Sequence, residues 1–128
     1  MDLPKRERSF YFKHTGDSGF EYEGNFTVLC RLSVADKYAQ ELEKTRLIDG
    51  SAAPSAGLSG IASVLSFLRV RIVEGPEWWK QRQGLSIEDE DALVALYDKV
   101  SEEVAQWKKD LEEKAAKAKE DLGKTAPA

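Results

Sequence analysis

Leu93, Leu96, Tyr97, Val100, Val104, Trp107 and Leu111 recur at intervals of three and four. That spacing draws one apolar seam along about five turns of a helix. A helix with a single apolar stripe must lay it on something, so the rest of the chain has to supply a packing partner. Ser86 stands as the N-cap, and Glu88, Asp89, Glu90 and Asp91 crowd the first turn, where the helix dipole favours negative charge. Beyond Leu111 the seam thins to alanine, with Asp110 to Lys114 and Glu113 to Lys117 as supporting pairs. The expected division is a single α+β domain over residues 1–111, then a charged helical extension and flexible tail over 112–128.

The packing partner lies at the other end of the chain. Ser9 to His14 is aromatic and alternating, and Thr15-Gly16-Asp17-Ser18-Gly19 is a turn signal. Phe20, Tyr22, Phe26, Val28, Cys30 and Leu32 follow at even spacing, with Gly24-Asn25 as an expected turn or bulge midway. Two or three antiparallel strands therefore fill the first quarter. Ser33 then caps a helix, with Asp36 in capping-box position before VADKYAQELEKTRLI. Val34, Ala35, Tyr38, Ala39 and Leu42 make its apolar stripe, and Asp49-Gly50 ends it. Residues 51–57, SAAPSAG, read as a flexible loop.

From Leu58 to Val73 the chain is apolar nearly all round. A small domain has little interior with which to surround such a helix, so contact with both the core and another chain is expected. Its β-branched end, RVRIV, is open to either helix or strand. After Gly75-Pro76, EWWKQRQ forms one helical turn, which Gly84 stops. Adjacent tryptophans cannot both face one side of a regular element, so of Trp78 and Trp79 one is expected in the core and the other on a partner. Trp107, on the seam, is expected in the core.

Composition narrows the function. The 128 residues carry a net charge of −4 and a pI near 5.1, which argues against a general nucleic-acid binder. Lys5, Arg6, Arg8 and Lys13 make the N-terminus locally basic and read as a solvated arm. Cys30, the sole cysteine, leaves no intramolecular disulfide and reads as a small buried apolar residue in a reducing compartment. The chain opens on polar and charged residues, and its longest apolar stretch, Leu58 to Leu68, falls short of the ~20 residues a membrane span needs. A cytosolic protein is expected, which makes the sequon Asn25-Phe26-Thr27 a chance match.

Reactive groups are sparse. His14 is the only histidine and sits in a hairpin with no nucleophile nearby in sequence. One His and one Cys cannot make a zinc set, and EDED lacks the alternating ligands of a calcium loop. No phosphate-binding glycine motif occurs, and Gly57-Leu58-Ser59-Gly60 ahead of a helix is a generic anion signal. No catalytic residue, cofactor or metal is therefore expected. What remains is apolar surface, for which Phe67, Leu68, Ile72, Trp78 and Trp79 are the candidate partner-binding residues.

The strand-to-helix run GNFTVLCRLSVADKY, the segment SVLSFLRVRIVEGPEWW and the closing GLSIEDEDALVALYDKVSEEVAQW together resemble the tail assembly chaperones of long-tailed bacteriophages, over about residues 20–107. The resemblance implies a small non-virion protein in the cytoplasm of the infected host. Its partner would be the aggregation-prone tape measure protein, kept soluble while the tail tube polymerises around it. It also implies a longer form made by −1 ribosomal frameshifting, while the homo-oligomer is expected from the surplus apolar surface of residues 58–73. Leu122-Gly123-Lys124 is compatible with codons CTG GGA AAA, which contain a slippery heptamer. Two further functions compete: a structural tail or connector component retained in the virion, and a small regulatory or antitoxin-like module whose acidic helix binds a basic partner.

Overall fold

The computed structural model describes residues 6–48 and 56–125. Lys5, the helix end at Asp49-Gly50, most of the 51–57 loop and residues 126–128 of the tail lie outside the described residues. The chain is an α+β domain. A three-stranded antiparallel sheet, ordered β1-β2-β3, packs on helices, of which the last is long.

β1 (Glu7–Thr15) and β2 (Glu21–Leu29) form the hairpin that the alternating aromatics predict. The turn closes through Gly16 N to Phe20 O at 2.9 Å and Gly19 N to Gly16 O at 2.9 Å. Phe12, Tyr22, Phe26, Val28 and Cys30 are all buried, because alternate residues share one face of a strand. The Phe10 and Phe26 rings, opposite each other in register, stack at 5.6 Å between centroids. β2 begins after Phe20, which is half exposed, and ends short of Leu32. Gly24 is neither a turn nor a bulge. It pairs in register with Phe12, and a Cβ there would lie 2.6 Å from Pro76 Cβ, so glycine lets the later chain cross closely over β2.

The Ser33–Asp36 capping box forms in full. Asp36 N donates to Ser33 Oγ at 3.1 Å and Ser33 N to Asp36 Oδ2 at 3.0 Å, opening α1 (Val34–Ile48). α2 (Ala56–Arg71) is helical to Arg71, and the chain then turns extended as β3 (Ile72–Glu74), which pairs with β2. RVRIV is thus split between helix and strand. α2 also packs against α1, so in the folded chain a sister helix covers part of the surface that had pointed to a second subunit.

Pro76 is the N-cap of the one-turn helix α3 (Glu77–Lys80), one position earlier than expected. A 3₁₀ turn, Gln81–Gly84, follows. In it Arg82, Gln83 and Gly84 all take positive φ, of 51°, 49° and 93°. Two non-glycine residues in that region are costly. The turn is held by Arg69, whose Nη2 and Nε donate to Arg82 O at 3.1 Å and Gln83 O at 3.0 Å.

α4 (Glu90–Thr125) starts four residues after Ser86, which is not its cap, and runs unbroken past Leu111. Asp89 stands at its head, its carbonyl accepting from Ala92 N. The Asp89 carboxylate points back to the hairpin, accepting from Ser18 N at 2.8 Å, Ser18 Oγ at 2.7 Å and Tyr22 OH at 2.7 Å. The Tyr22 bond, then the two from Ser18, hold the Asp89 carboxyl below the usual range. Asp91 Oδ2 lies 2.7 Å from His14 Nε2. The acidic run therefore clasps the hairpin turn onto α4 as well as favouring the helix start. The seam itself is inward: Leu96 and Val100 are fully buried, and Leu93, Val104 and Trp107 nearly so, against Phe26, Val28, Leu65 and Leu68.

Arg6 and Arg8 are not part of a free arm, and Lys13 lies within β1. Arg6 pairs with Asp36 at the start of α1. Arg8, within β1, reaches Glu103 at 3.0 Å and Asp110 at 3.1 Å on α4.

Candidate functional site

An amphipathic helix in a small domain ordinarily turns its apolar stripe inward. α1 does the reverse. It has no buried residue, and Val34, Tyr38 and Leu42 are 84%, 66% and 53% exposed, with Ala35 and Ala39 also exposed between them. Successive i, i+4 positions stack along one face, so these five make a continuous apolar row on the outside of the domain.

The opposite side of α1 explains the inversion. Arg69 on α2 has a side chain only 5% exposed, and its Nη1 lies 2.5 Å from Glu43 Oε1. Arg46, one turn along α1, reaches the same carboxylate at 2.6 Å. Hydrogen bonds from Arg46, and after it from Arg69, bring the Glu43 carboxyl down to about 2. A buried guanidinium without a carboxylate is strongly unfavourable, and Glu43 can reach Arg69 only when the polar side of α1 faces α2. Leu47, packed against the core cluster, adds an apolar contact on that side.

The five residues singled out from the sequence do not form one patch. Leu68 has no exposure and Trp79 is 5% exposed, so neither offers surface to a partner in the folded chain. Trp79 lies against Gly84 and Leu65, where a Cβ on Gly84 would come within 2.6 Å of the indole. Trp78 is half-buried on the opposite side of the same turn. Its ring meets Tyr22 at 5.2 Å, Phe26 at 5.5 Å and Phe12 at 6.0 Å, and Nε1 donates to Glu23 O at 2.9 Å. Both tryptophans therefore bind the 75–84 segment to the core. The remaining edge of Trp78 lines a shallow recess of about 260 Å³ with Phe20, Tyr22 and Ile87. Phe67 is half-buried, edge-on to Tyr97 at 4.9 Å, with the Arg71 guanidinium 4.7 Å above its ring. Ile72 is half-buried in β3.

The row on α1 escaped the sequence reading because periodicity shows that a stripe exists and not which way it turns. The one available signal was Glu43, an acid among residues that had to face the arginines of α2.

His14 is paired with Asp91, and burial pushes the Cys30 thiol up, away from the thiolate that nucleophilic chemistry needs. Among the described residues no three His, Cys, Asp or Glu side chains gather as a metal site, and no helix is long and apolar enough to cross a membrane. No protein-family model, curated protein or solved structure matches the chain.

Proposed function

We propose that this chain is a non-enzymatic assembly chaperone of a long-tailed bacteriophage. It acts in the cytoplasm of the infected host, binds the tape measure protein, keeps it soluble while the tail tube grows, and is absent from the finished particle. The observation that carries the reading is the outward apolar row Val34, Tyr38 and Leu42. Exposed aliphatic and aromatic side chains at helical spacing suit an amphipathic helical client, which docks its own apolar face on such a row. The half-exposed parts of Phe67, Ile72 and Trp78 add to the available surface, and neighbouring copies of the chain are the other occupants of the same row. The resemblance over residues 20–107 supplies the identity of the client.

The test is co-expression of the chain with the tape measure protein of the same phage. The client is expected in the soluble fraction with the parent chain, and in the pellet with a Val34→Ala, Tyr38→Ala, Leu42→Ala variant. Equal insolubility with and without the parent chain defeats the proposal. Mass spectrometry of purified virions separates a chaperone, which is lost from the particle, from a structural tail component, which stays.

A further inference from the structure

A second surface, away from Trp78 and Trp79, combines apolar floor and positive charge. A groove of about 690 Å³ opens between the loop that joins β2 to α1 and the middle of α4. That volume is of the size that holds a ligand, about 300–1,000 Å³. Its floor is the half-buried Leu32 and Leu111, backed by the buried Cys30 and Trp107.

Its rim carries Arg6, Arg31, Lys37, Arg71 and Lys108, and among the described residues no carboxylate lines it. Arg6 is neutralised by Asp36. Arg31, Lys37 and Lys108 have no carboxylate partner among the described residues. Arg71 is anchored without one, its Nη1 donating to Leu29 O at 2.8 Å and its guanidinium lying over the Phe67 ring. Four cations around one groove without a carboxylate partner among the described residues are out of keeping with a chain whose net charge is −4. Val34, the first residue of the exposed row on α1, stands at the same groove, so apolar surface continues from the floor out along the helix.

We propose that this groove binds an acidic, apolar-anchored polypeptide segment of another protein. Aliphatic side chains of the segment lie on the floor and along Val34, and its carboxylates meet Arg31, Lys37, Arg71 and Lys108. Charge complementarity selects this occupant. A nucleic acid fits less well, because Trp107 is almost wholly buried and offers no open face for a base to stack on. The inference is independent of the phage reading.

The experiment is fluorescence anisotropy on the full chain with a short labelled peptide of leucine and glutamate, and with the same peptide carrying lysine for glutamate. The acidic peptide is expected to bind and the lysine peptide not to. Lys37→Glu with Lys108→Glu, both exposed positions where substitution leaves the fold intact by circular dichroism, weakens binding by at least about tenfold. Lys80→Glu, on α3 and outside the groove, leaves it unchanged. Raising salt from about 0.1 M to about 1 M shortens the screening length from about 10 Å to about 3 Å and weakens binding several-fold. The proposal is overturned if the lysine peptide binds equally, if the double variant binds like the parent, or if single-stranded DNA displaces the peptide as well as unlabelled peptide does. It is also overturned if sedimentation shows the groove filled by a second copy, as a dimer that the double variant abolishes and the peptide leaves intact.

Discussion

Glu43 and Arg69 sit 2.5 Å apart between α1 and α2, with the arginine side chain almost wholly enclosed. Arg69 also holds the carbonyls of Arg82 and Gln83, so a single guanidinium joins three segments distant in sequence. The same pair decides that α1 presents its apolar row outward.

Removing one partner of that pair leaves the other charge poorly solvated. Glu43→Gln is expected to lower stability by about 2–4 kcal/mol, read as a fall in the urea midpoint at unchanged slope. Arg69→Ala should cost more, because the left-handed turn at 82–84 loses its donor as well.

The pH dependence follows from the same carboxyl. Glu43 is held at about 2 in the folded chain against an ordinary value of 4.5. A folded-state acid held below its unfolded value stabilises the fold above the unfolded value, and this contribution is lost as pH falls through the folded one. Stability should therefore drop between about pH 4.5 and pH 2, and Glu43→Gln should flatten that part of the curve. Urea midpoints measured across that interval check it, and parallel curves for parent and variant would contradict the assignment.

The Asp89 clasp is tested by Tyr22→Phe, which removes the 2.7 Å hydroxyl donor and is expected to cost about 1 kcal/mol. Asp89→Ala should lower the thermal midpoint further, because it also frees Ser18. In the Asp89→Ala background, Tyr22→Phe should cost little. Additive losses in this cycle would mean that the two side chains act separately.

Gly24→Ala tests the crossing of Pro76 over β2. With a Cβ 2.6 Å from Pro76 Cβ, overpacking of about 1–3 kcal/mol is expected. Gly19, which has nothing within 4 Å of a Cβ and a φ of 91°, is the control, where only backbone strain opposes alanine. Thermal melts of the two variants separate the effects.

Trp79→Ala should cost about 3–5 kcal/mol, the range for emptying an aromatic site in a core. The triple replacement Val34→Ala, Tyr38→Ala, Leu42→Ala should leave stability within about 0.5 kcal/mol of the parent or raise it slightly, since alanine is the better helix former. Thermal melts compare the two variants directly. A large loss from the triple variant would show that the row packs inside the fold.

Local chemistry was readable from the chain. The alternation from Ser9 to Cys30 determined a hairpin with one buried face, Ser33 and Asp36 determined the start of α1, and the seam from Leu93 to Leu111 determined a helix packed along one side. Each depends on residues within a few positions of one another, where backbone geometry ties spacing to face. The tertiary structure alone decided which way α1 turned, that both tryptophans serve the core, that the acids of EDED hold a hairpin turn, and that Arg31, Arg71 and Lys108 meet at one groove. Those outcomes rest on partners far apart in sequence, such as Glu43 with Arg69, Asp89 with Tyr22, and Gly24 with Pro76. A periodic pattern states that a face exists, and the cost of leaving a buried charge or donor unmatched selects what that face meets.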